Sequence, residues 1–310
     1  MNKASKILIL GQHGLVGSAL IRELKQQNYK NILAPPRSTL DLMNQKAVLD
    51  YFSSQKPDHV ILAAAKVGGI HANNTYRADF IFENLMIETN VFNAAFKTNI
   101  DKFLFLGSTC IYPKECPQPI KEEYLLTSPL EQTNEPYAIA KIAGLKMAEN
   151  FKRQYGRNFF SVMPTNLYGP GDNYHKENSH VIPGLINRMK ETVAKHQKTF
   201  EVWGTGKPRR EFLYVDDLAK ACIFLLNKNT KELPYHINIG TGEDISIGEL
   251  AKMIARIMGF EGEIVFNTAY PDGTMLKRSD VSLLNSLGWK PEVKLYEGLQ
   301  KTIENYLSLL

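Results

Sequence analysis

The sequence predicts an α/β protein built on a doubly wound parallel sheet. Short apolar runs, such as residues 6–10 and 59–63, alternate with longer segments of helical periodicity. Continuous apolar runs are typical of strands buried on both faces, and their alternation with helices favours parallel strands with right-handed crossovers. Because the alternation weakens after about residue 170, we expect a Rossmann-type sheet followed by a smaller C-terminal α/β lobe.

The expected elements follow in order along the chain. Strands are predicted at residues 6–10, 31–34, 59–63, 102–106, 158–163, 200–203, 211–215, 235–239 and 263–266, and helices at 18–25, 44–52, 76–97, 134–149, 181–195, 216–226 and 247–258. Asp216 or Asp217 is the expected cap of the helix at 216–226. We expect residues 1–169 to form the larger domain, with 211–240 returning to its sheet. Residues 170–210 and 241–310 form the smaller lobe.

Composition argues against several classes of protein. The net charge of +5 is spread over 310 residues, so the sequence predicts no nucleic-acid partner. Cys110, Cys116 and Cys222 lack the spacing of a metal or redox motif, which indicates a reduced, cytoplasmic setting and no metal site. No apolar run reaches the ~20 residues of a membrane span, so no membrane partner is expected.

A glycine-rich turn connects the first predicted strand to the first helix. Gly11, Gly14 and Gly17 are spaced G-x-x-G-x-x-G. A strand, a glycine turn and a helix in this order let backbone amides approach a pyrophosphate, and the helix N-terminus adds partial positive charge. The spacing alone also fits a chance turn. With its flanking elements, it predicts that residues 1–169 are a dinucleotide-binding domain.

The end of the second strand bears on the choice of dinucleotide. An NAD site would usually place a carboxylate about 20 residues past the glycines, to bind the ribose 2′-hydroxyl. This chain has Arg37 there and no acid. Because a guanidinium suits a 2′-phosphate, the sequence favours NADP(H), although a surface arginine with no ligand is the alternative.

Three further residues suggest carbonyl chemistry. Tyr137 and Lys141 are four apart in a predicted helix and so share one face, and Ser108 follows the fourth strand. A nearby ammonium is expected to lower the pKa of the phenol, and a hydroxyl can hold the same substrate oxygen. Taken alone, the three residues also fit a half-buried tyrosine, a solvated lysine and a turn-forming serine.

Longer strings resemble a known family. They are residues 63–70, 73–76, 107–113, 133–144, 163–170, 178–183, 203–217 and 271–274. Through them the chain resembles the GDP-L-fucose synthase family of the extended short-chain dehydrogenase/reductase superfamily. The resemblance implies NADPH-dependent C3/C5 epimerisation and then C4 ketone reduction of GDP-4-keto-6-deoxy-D-mannose, giving GDP-L-fucose. It also implies a GDP-sugar substrate and a homodimer.

The resemblance implies a role for individual residues. Catalysis is assigned to Ser108, Cys110, Tyr137, Lys141 and His180, with Cys110 as base and His180 as acid in the epimerisation. Cofactor contacts are assigned to Gly11, Gln12, His13, Gly14, Leu15, Val16, Gly17, Arg37, Leu106, Gly107, Lys141, Pro164, Thr165, Asn166, Leu167 and His180. Substrate contacts are assigned to Arg188, Trp203, Arg210, Asp272 and Lys277.

Without the resemblance, several of these residues have simpler interpretations. Cys110 fits a small buried residue and His180 a helix-terminal hydrogen-bonding residue. Trp203 fits a core tryptophan, and Arg188 and Arg210 fit ion pairs with Glu191 or Glu211. The family that the chain resembles often has an arginine at the position of His13, near the 2′-phosphate. In this chain Arg37 is therefore expected to contribute more of the binding of that phosphate. Related alternatives are a GDP-colitose-type synthase and an NAD-dependent 4-epimerase or 4,6-dehydratase; a catalytically silent NADP sensor is the alternative from another class.

Overall fold

The computed structural model describes residues 1–175 and 179–310, with positions 70 and 71 described through their backbone. The strands are β1 (Ile7–Leu10), β2 (Ile32–Leu33), β3 (His59–Leu62), β4 (Lys102–Leu106), β5 (Asn158–Pro164), β6 (Asn166–Tyr168), β7 (Thr199–Trp203), β8 (Arg209–Arg210), β9 (Phe212–Tyr214), β10 (His236–Ile239), β11 (Ile245–Ser246), β12 (Glu263–Asn267) and β13 (Leu276–Lys277). The helices are α1 (Leu15–Gln26), α2 (Gln45–Gln55), α3 (Ile70–Thr75), α4 (Arg77–Lys97), α5 (Glu135–Tyr155), α6 (Val181–Ala194), α7 (Val215–Asn227), α8 (Ile247–Ile257), α9 (Ser282–Ser286) and α10 (Leu295–Ser308). Short 3-10 turns lie at Thr109–Ile111 and Glu122–Tyr124.

The largest sheet confirms the predicted doubly wound architecture. Its strands are ordered β10-β5-β4-β3-β1-β2, and every neighbouring pair is parallel. The strand order reverses direction between β1 and β3, and open α/β sheets bind ligands at the carboxyl ends of strands near such a point. The ends of β1, β3, β4 and β5 therefore define the edge where a site is expected.

Alternating side chains of the central strands build two separate cores. Ile7 and Ile9 point to the face covered by α1 and α7, whereas Leu8 and Leu10 point to the face covered by α2, α4 and α5. This alternation follows from the two-residue period of a strand. Both faces of the sheet are thus apolar, which explains why β1 and β3 read as continuous apolar runs.

The C-terminal half forms a third core. Within residues 211–240, β10 joins the large sheet, whereas β9 pairs with β6. β7 pairs with β12, and β8 lies between β11 and β13. Side chains of α6, α8 and α10 pack with these strands around the buried Phe200, Leu250 and Ile303.

One predicted helix cap is wrong. α7 begins at Val215 with Tyr214 at its N-cap, and neither aspartate caps it. Asp216 instead pairs with Arg22 at 2.5 Å, and Asp217 Oδ2 accepts hydrogen bonds from the backbone N–H groups of Glu292 and Val293. These acids lie in the first turn, where tertiary partners compete with capping for the carboxylate.

Among residues 1–175 and 179–310, no helix combines the length and the apolar character needed to cross a bilayer.

Candidate active site

The glycine turn after β1 is shaped for close approach of a ligand to the backbone. A Cβ on Gly17 would lie 2.1 Å from the Gly11 carbonyl oxygen, so this position accepts glycine only. α1 starts with Gly14 at its N-cap, has no side-chain cap and has no acid in its first turn. The first N–H groups of α1 are thus available to an anion, and the loop fits the pyrophosphate of a dinucleotide.

The side chains beside this turn are open to solvent. His13 Nε2 lies 3.2 Å from Nε2 of Gln12, with the roles of the two nitrogens set by the histidine tautomer. Arg37 is exposed after β2 and has no ion pair with any residue that the structure describes. A free guanidinium at this position is compatible with a 2′-phosphate ligand.

The adjacent ends of β4 and β5 carry the remaining expected cofactor contacts. Leu106 is in register with Val162, and the Gly107 N–H donates to the Val162 carbonyl at 2.9 Å. Residues 164–167 continue from β5, where Thr165 is buried and Asn166 is exposed. Because β4 and β5 are parallel neighbours, both segments lie at the edge that the glycine turn occupies.

Ser108 and Cys110 lie on the 3-10 turn that follows β4. The Ser108 Oγ accepts a hydrogen bond from the Cys110 backbone N–H at 3.1 Å, which caps the turn. Since that bond uses a lone pair, the Ser108 hydroxyl keeps its proton for another acceptor. Both side chains are partly exposed, so a ligand at the sheet edge can reach them.

Tyr137 and Lys141 lie one turn apart on α5, as predicted. The Lys141 Nζ lies 5.8 Å from the Tyr137 ring centroid and donates a hydrogen bond to the Leu106 carbonyl at 3.0 Å. Contrary to the sequence-based expectation, the pKa of Tyr137 is raised, first by desolvation and then by Cys110 and Glu88. The phenol therefore holds its proton, which suits a proton donor.

Sequence reasoning missed Glu88, which lies beneath this pair. Its Oε1 is 3.3 Å from Lys141 Nζ, and both side chains are almost fully buried. Burial raises the pKa of Glu88 to about 7 and lowers the pKa of Lys141. The sequence feature that could have indicated a buried Glu88 is its position in the helix. It falls on the helical face shared by the buried residues Asn84, Val91 and Ala95.

Two cations of the C-terminal half approach Cys110. Lys277 Nζ lies 3.7 Å from the Cys110 sulfur, a contact that joins β13 to the end of β4. Arg210, on the neighbouring β8, donates to the Thr274 carbonyl at 2.5 Å and feels the charge of Cys110. The Cys110 sulfur therefore lies beside positive charge contributed by the C-terminal half of the chain.

His180 is the N-cap residue of α6 and makes no side-chain capping bond. Its side chain reaches solvent, and the protein around it lowers the pKa of the imidazole by desolvation. No hydrogen bond joins His180 to Cys110 within the described part of the chain. Asn178, part of the same predicted string, lies outside the described residues.

An exposed aromatic stack lies further along the C-terminal half. Trp203 is 47% exposed and stacks on Tyr270, with ring centroids 4.8 Å apart. The Arg188 guanidinium lies 4.4 Å from the Trp203 ring and donates to the Glu201 carbonyl at 3.1 Å. Tyr270 was missed in the sequence because a lone tyrosine in a loop gives no periodic signal.

Asp272 has a different environment from the other expected substrate contacts. Its Oδ1 accepts the Thr205 N–H at 2.9 Å, and its Oδ2 accepts the Thr205 hydroxyl at 2.6 Å. These hydrogen bonds lower the pKa of Asp272, so the carboxylate is ionised and tied to the loop after β7. Its observed contacts stabilise the loop beside Trp203.

The structure thus brings a phenol, a hydroxyl and a thiol to one edge of the sheet. Ser108 and Cys110 share the turn after β4, and α5, which carries Tyr137 and Lys141, packs against that turn. Lys141 donates to the Leu106 carbonyl at the end of β4, and Lys277 contacts the Cys110 sulfur. A protonated phenol and a serine hydroxyl can bind a carbonyl oxygen, and a nearby thiolate can remove a proton from the adjacent carbon. This arrangement suits chemistry at a ketone and its neighbouring C–H bonds.

Comparison with known proteins agrees with this geometry. The model of the NAD dependent epimerase/dehydratase family matches residues 7–240. GDP-L-fucose synthase 1 of Arabidopsis thaliana is 52% identical over 306 residues, which cover 99% of this chain and 94% of that protein. GDP-L-fucose synthase of Escherichia coli (strain K12) is 50% identical over 309 residues, which cover 97% of this chain and 96% of that protein. A solved GDP-L-fucose synthetase from Naegleria fowleri bound to NADP has a TM-score of 0.91 at 28% identity, covering 99% of this chain and 94% of that chain. The chain therefore belongs to the NAD dependent epimerase/dehydratase family and, within it, to the GDP-L-fucose synthase family.

Proposed function

We propose that this enzyme converts GDP-4-keto-6-deoxy-D-mannose to GDP-L-fucose with NADPH, by epimerisation at C3 and C5 and then reduction at C4. The observation that carries the proposal is the packing of α5, which carries Tyr137, against the turn after β4 that carries Ser108 and Cys110, at the sheet edge that the glycine turn occupies. The proposal is supported by the GDP-L-fucose synthases that match the chain over nearly its full length. A general ketone reductase would need the phenol and the hydroxyl but no thiol.

The glycine turn and the residues around it hold NADP(H). Gly11, Gly14 and Gly17 leave room for the pyrophosphate, Arg37 takes the 2′-phosphate, and His13 is assigned to the same cofactor. The other residues assigned to this ligand are Gln12, Leu15, Val16, Leu106, Gly107, Lys141, Pro164, Thr165, Asn166, Leu167 and His180. When bound, NADPH supplies the hydride that reduces the C4 ketone.

Epimerisation depends on the ketone at C4. A C4 carbonyl acidifies the hydrogens on C3 and C5, because the carbanion left behind is stabilised as an enolate. The Cys110 thiolate removes the proton at each centre, and His180 returns one to the opposite face. Desolvation lowers the pKa of His180, which makes its imidazolium a better proton donor. Tyr137 and Ser108 hold the enolate oxygen during this step.

Reduction uses the same oxygen site. Tyr137 gives its proton to the C4 oxygen, and Ser108 donates a hydrogen bond to that oxygen. The raised pKa of Tyr137 keeps the phenol protonated until the oxygen gains negative charge. The same two donors, Tyr137 and Ser108, therefore serve both reactions. After epimerisation, the C4 oxygen is still held by the groups that bind it during reduction.

The nucleotide end of the substrate is assigned to the C-terminal half. Trp203 and Arg188 present an exposed ring and a guanidinium beside it, and Arg210 with Lys277 adds positive charge near the diphosphate. Asp272 supports the loop that carries these groups. This arrangement supports residues 170–210 and 241–310 as the substrate-binding lobe and residues 1–169, with 211–240, as the dinucleotide-binding domain.

The enzyme is also proposed to be a cytoplasmic homodimer. The supporting surface is on α4 and α5, where Phe82, Ile139 and Tyr155 are 59%, 40% and 50% exposed. Large apolar side chains that remain exposed on neighbouring helices favour burial against a second copy. The three free cysteines agree with a reducing compartment.

The function is tested by supplying the purified chain with GDP-4-keto-6-deoxy-D-mannose and NADPH in deuterated water. The proposal expects NADPH absorbance to fall and the product to carry deuterium at C3 and C5 with the L-fuco configuration. A reduced product without deuterium at C3 and C5 would mean that the enzyme is a ketone reductase with no epimerase activity. An absence of NADPH consumption would reject the proposal. The analogue lacking the C3 hydroxyl, supplied separately, tests a colitose-type specificity.

A further inference from the structure

Glu88 is a buried carboxylate that the mechanism above does not use. Its side chain is 1% exposed and its Oε1 lies 3.3 Å from Lys141 Nζ, on a side chain that is 2% exposed. Neither carboxylate oxygen of Glu88 has a well-aligned hydrogen bond. Removing an ionised carboxylate from water is costly, so the charge of Lys141 is its main compensation.

The packing of α4 against α5 leaves space for this carboxylate. A Cβ on Gly144 would lie 2.7 Å from Glu88 Oε2 and 2.4 Å from Cζ of Phe105. Glycine at position 144 therefore lets Glu88 reach the lysine between the two helices. The Phe105 ring also lies against the pair, with its centroid 4.6 Å from Lys141 Nζ.

We propose that Glu88 is a positioning residue that keeps the Lys141 ammonium charged and fixed beneath Tyr137. Within the described residues, the other contacts of Lys141 are neutral, namely the Leu106 carbonyl at 3.0 Å and the aromatic rings of Phe105 and Tyr137. Neither can balance a buried positive charge. As Tyr137 gives up its proton, negative charge develops on a phenol whose ring centroid lies 5.8 Å from the ammonium, and the ammonium stabilises that charge. The inference thus rests on the proposed role of Tyr137 as proton donor.

The titration of the pair depends on the groups that surround it. Among the described side chains, the other titratable groups on the elements packed around the pair are Glu135, Tyr137, Lys146, Glu149, Lys152, Arg153 and Tyr155 on α5, Arg77, Asp79, Glu83 and Lys97 on α4, Lys46, Asp50 and Tyr51 on α2, Lys102 on β4 and Cys110 on the turn after β4. Asp79 and Glu83 bind Lys66, and Lys46 binds Asp50 in solvent, so these charges are compensated locally. Burial lowers the pKa of Lys141 and Glu88 opposes that change, so losing Glu88 lets the lysine lose its proton at lower pH.

The first test is the pH profile of C4 reduction in Glu88→Gln. The alkaline limb of kcat is expected to move to lower pH by about one unit or more, because the ammonium has lost its counter-ion. Glu88→Asp keeps the charge and should restore much of the alkaline limb. Glu149→Gln, which removes a different buried carboxylate, located on α5 and paired with Lys146 and Arg153, is the matched control and should leave the limb in place.

The second test needs neither substrate nor cofactor. Melting temperatures are measured at mildly alkaline pH for Glu88→Gln, Lys141→Met and the double variant. Each single variant leaves one buried charge unpaired, so the double variant should melt above both single variants. Additive losses of melting temperature, or a Glu88→Gln profile that is merely scaled down at every pH, would overturn the inference. If the native enzyme fails to consume NADPH, the proposed function fails and the melting cycle still tests the pair.

Discussion

At the scale of single residues, the proton on Tyr137 decides which chemistry the site can perform. Desolvation, Cys110 and Glu88 all raise the pKa of this phenol, which suits its proposed role as an acid. Tyr137→Phe should slow NADPH oxidation by about 100-fold or more, since general acid catalysis typically contributes that much. Stopped-flow absorbance with the ketosugar measures the loss. A phenylalanine variant with full turnover would contradict the acid role.

Cys110 is expected to act at the other step. Cys110→Ser replaces a thiol with a hydroxyl that ionises far less readily, so exchange of the C3 and C5 hydrogens with deuterated solvent should stop. NADPH affinity should be retained, since the glycine turn is untouched, and fluorescence titration supplies that control. Exchange at the native rate in the serine variant would remove Cys110 from the mechanism.

Lys277 is expected to control the reactivity of that thiol. Its ammonium is 3.7 Å from the Cys110 sulfur, close enough to stabilise a thiolate appreciably. Lys277→Met should slow alkylation of Cys110 by iodoacetamide about threefold to tenfold, measured by mass spectrometry of the Cys110 peptide. Lys207→Met, which removes an exposed lysine from the loop after β7, is the control. Equal alkylation rates in the two variants would show that Lys277 does not affect the reactivity of the Cys110 thiol.

At the scale of elements, the junction of β1 and α1 tolerates no side chain at Gly17. A Cβ there would lie 2.1 Å from the Gly11 carbonyl oxygen, whereas a Cβ on Gly14 would lie at an ordinary 3.5 Å from the same atom. Gly17→Ala should therefore destabilise the fold by about 1–3 kcal/mol, the usual cost of overpacking. Gly14→Ala should melt within a few degrees of the native chain. Equal melting temperatures for the two variants would contradict this account of the turn.

The elements of the first half were largely predictable from the sequence, and the reason is local. β1, β3, β4 and β5 are continuous apolar runs, so composition alone defines them to within a residue or two. The two-residue strands β8, β11 and β13 were not predicted, because such strands exist only through their partners. The prediction of an aspartate cap for α7 was wrong for a similar reason. The Asp217 carboxylate accepts hydrogen bonds from backbone N–H groups 75 and 76 positions away.

The same distinction applies to the candidate site. Gly17, Tyr137 and Lys141 could be identified from the sequence, because each belongs to a motif whose spacing lies within a short segment. Glu88 does not, because its importance lies in the lysine 53 positions further on and in the space left by Gly144. Whether a buried acid is paired depends on tertiary packing, which no local pattern reveals.

At the scale of the whole molecule, the site is assembled from both halves of the chain. Cys110 follows β4 of the large sheet, and the lysine that contacts it comes from β13, 167 positions later. Glu211 reinforces this junction, since its carboxylate accepts backbone N–H groups of Thr241, Gly242 and Ser279. The position of the C-terminal half relative to the sheet edge is therefore fixed by buried hydrogen bonds as well as by packing.

The buried Glu88 should make the free energy of unfolding of the whole molecule depend on pH. Burial raises the pKa of Glu88 from its ordinary 4.5 to about 7. A carboxyl group that binds its proton more tightly when folded favours the folded state at low pH; that contribution is complete below the unfolded pKa and is lost as the pH rises through the folded one. The free energy of unfolding of the native chain, minus that of Glu88→Gln, should therefore fall by about 3 kcal/mol between about pH 4 and about pH 8. Urea unfolding at each pH measures the difference, and equal m-values verify that both chains unfold to the same extent. A difference that stays flat across this range would mean that Glu88 titrates as an ordinary carboxylate, whereas a difference that rises with pH would mean that its attraction to Lys141 outweighs the cost of its burial.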